Sequence, residues 1–374
     1  MVDYRKMPDG RSVSTIGIGA VHWHEIDEDE TQKIIQRAVE SGINLLDFAM
    51  AYDTPLPFLG RALADKRELL VYQLHLGLTF PGGQYERTRD VAKVKEAFEK
   101  QLAALGTEYA DTAFIHCVDE AEDFEEVFTS GTYDYALQLK RDGVIRQLGF
   151  ATHTIDIAEK FLAVEGFDAC LFSINPAYDF DPVKNLAFED LAAPDDLPEN
   201  ASRRRYAFYD ECERRGIGIM VMKALDGSLL LDEKTSPLGQ AMTVPQCLQY
   251  ALDRPAVVSV LVGINSLKEF ESAIEFYDST PQERDYAFVN SLRPTQMRGT
   301  CVYCNHCLPC PVGIDIAAVH KYLDLAVAGD DLAKEHYKTL SKNATDCIQC
   351  GACEKRCPFG VEVRKKMEHA VSVL

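Results

Sequence analysis

Eight short apolar runs, each followed by an amphipathic stretch, leave this chain few architectures to choose from. The runs are TIGIGA (15–20), INLLDF (43–48), LLVYQL (69–74), DTAFIH (111–116), VIRQLGF (144–150), ACLFSI (169–174), IGIMVM (217–222) and VVSVLVG (257–263). Between them, DEDETQKIIQRAVESG places Ile34, Ile35, Ala38 and Val39 on one helical face, and DVAKVKEAFEKQLAALG aligns Val91, Val94, Phe98, Leu102 and Leu105. Strand alternating with helix eight times predicts an α/β fold, a closed parallel (β/α)8 TIM barrel. An open doubly wound sheet would want a glycine-rich phosphate turn after its first strand, and neither TIGIGA nor INLLDF leads into one.

The composition changes near Arg293 and Pro294, which divides the chain into a barrel of residues 1–292 and a small C-terminal domain of residues 293–374. Eight of the twelve cysteines fall beyond that boundary, in CVYCNHCLPCP and CIQCGACEKRCP. Three cysteines spaced by two residues wrap a loop around one cubane, and a fourth followed by proline ligates the neighbouring one. The expected ligand sets for two 4Fe-4S clusters are therefore Cys301, Cys304, Cys307 with Cys357, and Cys347, Cys350, Cys353 with Cys310. The first run departs from the usual spacing, with only Leu308 and Pro309 before its last cysteine. A four-thiolate zinc site built on Cys301, Cys304, Cys347 and Cys350 is the rival, but it leaves Cys307, Cys310, Cys353 and Cys357 without a role. Between the runs, Ile316, Val319, Tyr322, Leu323 and Val327 recur at helical spacing before Gly329 breaks the pattern. That predicts a helical ferredoxin-like domain in place of a short-loop β-type ferredoxin.

Disulfides suit secreted chains, and the charged start MVDYRKMPDG has no apolar signal segment, so the expected compartment is the reducing cytoplasm. Thirty-nine basic against 59 acidic residues give a net charge of −20, which argues against nucleic acid as a partner. The same charge favours solubility and a basic external electron carrier. The longest apolar stretch, residues 256–264, is too short to cross a bilayer, so no membrane partner is expected.

In a parallel barrel the chemistry sits at the carboxyl ends of the strands. Asp47 closes the second run, Tyr52 follows it, His75 closes the third and His116 the fourth. Here RSVSTIGIGA, GINLLDFAMAYD, LGTEYADTAFIH, RDGVIRQLGFATH and VVSVLVGINSLKEFESAI resemble the aldo-keto reductase superfamily over residues 10–280. With the cysteine runs, the chain resembles the subgroup that carries an appended ferredoxin-like domain.

The resemblance implies hydride transfer between NADPH or NADH and a small carbonyl or alcohol substrate. It makes Tyr52 the general acid, lets His116 orient the carbonyl and puts Asp47 behind the tyrosine. A phenol near pKa 10 needs a neighbour that favours phenolate. The family supplies a lysine for this; His75 stands in its place. An imidazole near pKa 6.5 supplies that charge only if Asp47 raises its pKa. His75 with Tyr52 would otherwise suit an epimerase or lyase, and a barrel without reductase activity would leave an electron-transfer protein.

Implied cofactor contacts are Gly19, Ala20, Thr152, Asn175, Gly263, Asn265, Ser266 and Lys268. The last four lie where a strand end runs into a helix N-terminus, a place that suits phosphate. The long segments LTFPGGQYERTRD and 175–205 are expected to shape the substrate pocket. Trp23 would line the cavity or pack. Arg87, Arg89 and Arg203 to Arg205 would meet an acidic substrate or form solvated salt bridges.

Overall fold

The computed structural model describes residues 1–180, 202–291, 299, 301, 303, 305–327, 332–357 and 359–374. Each of the eight runs becomes a strand: β1 (Ile16–Gly19), β2 (Leu45–Asp47), β3 (Val71–Leu76), β4 (Ala110–Ile115), β5 (Ile145–Thr152), β6 (Ala169–Ser173), β7 (Gly218–Met222) and β8 (Val257–Gly263). They close into a parallel barrel in chain order, with β8 paired to β1. The register sets Gly19 beside Asp47, Asp47 beside Gln73 and His75 beside Phe114, which lines up the strand ends at one rim.

Strand pleating sorts successive side chains to opposite faces. Leu45, Val71, Phe114, Leu171, Met220 and Leu261 join one apolar cluster, while Leu46, Tyr72, Phe172 and Val262 join another that packs under the helices. Met7 and Val13 belong to the first cluster, so the hairpin of Tyr4–Lys6 and Ser12–Ser14 stoppers the amino-terminal end. Gly149 is needed where it stands, because a Cβ there would fall 2.4 Å from the Phe114 ring. The helix Glu28–Ser41 begins where Asp27 accepts from the Glu30 N–H at 2.8 Å. It ends at Gly42, whose φ of 86° is left-handed.

After β3 the chain folds back as a hairpin, Leu78–Thr79 with Glu86–Arg87, across the carboxyl rim. The C-terminal domain is helical as expected, with Ile316–Val327, Leu332–Lys338, Ala352–Arg356 and Val363–Val373. Its core of Ile314, Val319, Leu323, Val361, Val363 and Met367 also takes in Leu78 and Tyr85 of that hairpin. The domain therefore sits on the barrel mouth. No helix among the described residues is long and apolar enough to cross a membrane.

The boundary at Arg293 and Pro294, Gly329 and Cys304 lie outside the described residues, as does most of the segment 175–205. Trp23 is fully buried and donates from Nε1 to the Ile264 carbonyl at 2.7 Å, so packing accounts for it. The solvated salt bridges expected of the arginines are buried ones in part. Arg205 pairs with Asp179 at 2.8 Å, Arg89 with Asp123 at 2.8 Å, and Arg204 with Glu159 and Asp156.

Candidate active site and cluster cavities

Three of the four rim residues singled out in the sequence meet. Asp47 Oδ1 lies 3.0 Å from His75 Nε2, and His75 Nδ1 lies 2.9 Å from His116 Nδ1. The run continues to a residue that sequence reasoning missed: His116 Nε2 lies 3.2 Å from the hydroxyl of Tyr85. With Asp47 as acceptor and one proton on each ring, the directions follow. His75 Nε2–H donates to Asp47, His116 Nδ1–H donates to His75, and the Tyr85 hydroxyl donates to His116. Burial, then the imidazoles of His75 and His306, hold His116 well below the usual histidine range. Burial drives the Tyr85 phenol well above its own.

Tyr52 stands apart from this run. Its hydroxyl donates to Asp315 Oδ2 of the C-terminal domain at 3.5 Å and accepts from Gln84 Nε2 at 3.5 Å. Its ring lies 4.2 Å from that of His24. No hydrogen bond joins it to Asp47, His75 or His116 among the described residues. Burial, with the Asp315 charge adding, raises its pKa above the ordinary phenol value. The expected tuning of Tyr52 by His75 therefore has no contact to act through.

A second polar group lies at the ends of β4 and β5. The Asp119 carboxylate accepts from the His153 amide at 2.7 Å and from Thr152 Oγ1 at 3.1 Å, with the Cys117 thiol at 3.2 Å and His153 Nδ1 at 3.0 Å. Burial pushes Asp119 up, but the His153 contacts outweigh it and hold the carboxyl well below its usual range. The His306 ring, from the first cysteine run, lies 4.6 Å from His153 and 6.0 Å from both His116 and Tyr85. His153 is a strand-end residue, so the reasoning that picked His75 and His116 would have reached it. His306 had no such signal.

At the cofactor positions, Thr152 is engaged by Asp119, and Asn175 donates to the Lys223 carbonyl at 2.8 Å while accepting from the Tyr178 N–H. Ala20 is buried, Gly19 closes β1, and Lys268 is exposed. The Asn265 amide donates to Glu269 Oε2 at 2.7 Å, and the Leu267 amide to Glu30 Oε1 at 2.7 Å. Ser266 caps the helix by accepting from Glu269 N–H at 3.2 Å. Two carboxylates thus occupy amides that suit a phosphate, and Glu269 is exposed enough to swing aside. Among the described residues Asn265 Oδ1 is buried without a partner, and a Cβ at Gly263 would meet nothing within 4 Å. The place accepts anions and leaves a polar atom unused, which fits a nucleotide.

In the C-terminal domain, Cys310 of the first run lines one cavity with Cys347, Cys350 and Cys353. Cys301, Cys307 and Cys357 line another, and Ile316 and Val363 form a wall common to both. Arg356 ties the runs together, donating to the carbonyls of Cys307 at 2.8 Å and Pro309 at 2.6 Å. Into the second cavity face Asn305 and the fully buried His320, whose side-chain nitrogens and amide oxygen have no partner among the described residues. Orphaned buried donors beside three cysteines fit a sulfide cluster that accepts hydrogen bonds.

A barrel with its polar rim under a cysteine-lined helical domain defines the class. A family model for the aldo/keto reductase family matches residues 15–243, and one for a 4Fe-4S dicluster domain matches residues 299–361. The chain belongs to the aldo/keto reductase family and carries a C-terminal 4Fe-4S dicluster domain. It is 29% identical to the aldo-keto reductase YhdN of Bacillus subtilis over 187 residues, 47% of this chain and 54% of that protein. It thus spans about half of that relative's length. It is 22% identical to the uncharacterized oxidoreductase YqkF of the same organism over 284 residues, 70% of this chain and 87% of the other. Among solved structures, the holo form of an aldo-keto reductase from Bacillus halodurans has a TM-score of 0.59 at 20% identity, covering 78% of this chain and 96% of its own. An aldo/keto reductase from Klebsiella pneumoniae, solved with NADP and acetate, has a TM-score of 0.55 at 15% identity, covering 80% and 98%. Both likenesses are of fold.

Proposed function

We propose that the protein is an NAD(P)H-dependent oxidoreductase that interconverts a small carbonyl compound and its alcohol at the barrel mouth, with two 4Fe-4S clusters above it. The hydrogen-bonded run from Asp47 through His75 and His116 to Tyr85 carries this reading, because it ends in a phenol at the rim. The nicotinamide, when bound, supplies the hydride. Thr152, Asn175, Asn265, Ser266 and Lys268 would hold it, with Gly263 leaving room.

Tyr85 gives its proton to the carbonyl oxygen. His75 and Asp47 hold His116 in the tautomer whose Nε2 accepts from the phenol and orients it, and the Tyr85 phenolate regains its proton from solvent after turnover. A positioned acid of this kind contributes about 10²–10⁴ in rate. Cys301, Cys304, Cys307 and Cys357 hold one cluster; Cys310, Cys347, Cys350 and Cys353 hold the other. Their common wall supports electron passage between them and an external carrier.

Tyr85→Phe and Tyr52→Phe divide the roles. The expected result is a loss of kcat of about 10²–10⁴ for Tyr85→Phe and less than tenfold for Tyr52→Phe. The reverse order would return the acid role to Tyr52. Nicotinamide fluorescence on adding the protein tests the cofactor, and binding of neither NADH nor NADPH would overturn that part.

A further inference from the structure

Between the barrel rim and the cluster domain, beside the second cysteine cavity, lies a further concentration of metal-ligating side chains. The ligand atoms of His116, Cys117 and His306 lie within 4.8 Å of one another, and so do those of Cys117, Asp119 and His153. The Cys117 thiol belongs to both groups. The His153 and His306 rings are 4.6 Å apart. His153 Nε2 and His306 Nδ1 are buried with no hydrogen-bond partner among the described residues. An unpaired buried nitrogen is costly, and a ligand between the two rings would relieve both.

The surroundings are those of a ligand shell. Metal-binding imidazoles carry a carboxylate or similar group on their other nitrogen, which fixes the tautomer. His153 has Asp119 on Nδ1 at 3.0 Å; His116 has His75 on Nδ1 at 2.9 Å, itself held by Asp47 at 3.0 Å. Cys117 has a φ of 46°, left-handed for a side chain other than glycine, and such strain gathers at functional sites.

We propose that His116, Cys117, His153 and His306 bind one divalent ion of the zinc class. Three imidazoles and one thiolate make a tetrahedral nitrogen and sulfur set, which selects zinc over magnesium or calcium. Bonds of about 2.0–2.3 Å place tetrahedral ligands roughly 3.3–3.8 Å apart, so the two triads, each within 4.8 Å and sharing Cys117, close together on loading. Binding releases the Cys117 thiol proton to solvent. The ion takes the His116 Nε2 lone pair from Tyr85, and its four protein ligands leave no position for a substrate. Freed from His116, the Tyr85 hydroxyl turns to the carbonyl. That last consequence rests on the reductase reading. Three ligands come from the barrel and His306 from the cluster domain, so the ion also fastens one to the other.

The test uses the anaerobically prepared full-length protein with its clusters, supplied with zinc alone. Elemental analysis separates zinc from cluster iron, and X-ray absorption at the zinc edge reads the ligands. The expected result is one zinc per chain with a single sulfur at about 2.3 Å and nitrogens at about 2.0 Å. Cys117→Ser should remove the sulfur shell and His153→Gln should weaken zinc binding at least tenfold, both keeping the iron content. Absence of retained zinc, an all-sulfur shell, or indifference to both substitutions would overturn the proposal. Zinc content does not depend on turnover, so an inactive protein that binds zinc would count against the reductase reading alone.

Discussion

Replacing Asp119 with Asn removes a charge from a carboxylate that is only 5% exposed and accepts at 2.7 Å from the His153 amide, with the His153 ring at 3.0 Å. Hydrogen bonds to a charged group are each worth about 1.5–3 kcal/mol. The amide keeps one acceptor oxygen but turns an N–H₂ toward donors. Breaking a buried pair by removing one partner costs about 3–5 kcal/mol, which bounds the loss. With a urea slope of about 3 kcal/mol/M, the midpoint should fall by about 0.5–1.7 M. Trp23, the single tryptophan, is buried in the barrel, so its fluorescence reports the unfolding directly.

The pH dependence adds a second check. Asp119 is held below its unfolded value, so its stabilisation is fully present above that value, near pH 3.9, and is lost as pH falls toward the folded one. The gap between wild type and Asp119→Asn should therefore be constant from pH 7 to 5 and shrink below about pH 4. A midpoint shift under about 0.2 M, or a gap that ignores pH, would refute the assignment of Asp119 as a buried, ionised anchor.

Cys310→Ser, although in the first run, should strip iron from the site of Cys347, Cys350 and Cys353 and spare the other, as read by iron content and electron paramagnetic resonance. His320→Leu should lower the midpoint potential of the cluster held by Cys301, Cys307 and Cys357 by roughly 40 mV in a redox titration, the value of a hydrogen bond of about 1 kcal/mol in a one-electron couple. Gly60→Ala should destabilise the barrel by about 1–3 kcal/mol in urea, because its Cβ would stand 2.1 Å from the Ala104 carbonyl oxygen.

The strand-end argument reached Asp47, His75 and His116, since the pleat and the barrel rim put those positions in one ring. It also led to Tyr52, which follows β2 in a loop, and loop side chains answer to what packs on them. Tyr85 was hidden for the same reason. It lies beyond the end of β3, and only the folding back of Leu78–Thr79 on Glu86–Arg87 brings it to His116.

By itself the sequence determined the alternation that makes the barrel and the two-residue cysteine spacing that makes cluster-binding loops. Both are periodicities of a few residues, written into local backbone geometry. The tertiary structure decided which phenol joins the histidines and set His306 over His116 and His153. Those outcomes depend on a domain of some eighty residues docking on a rim assembled from strands far away in the chain. No local pattern encodes such a meeting. It is settled by burying Leu78 and Tyr85 together with Leu308, Ile314 and Val361.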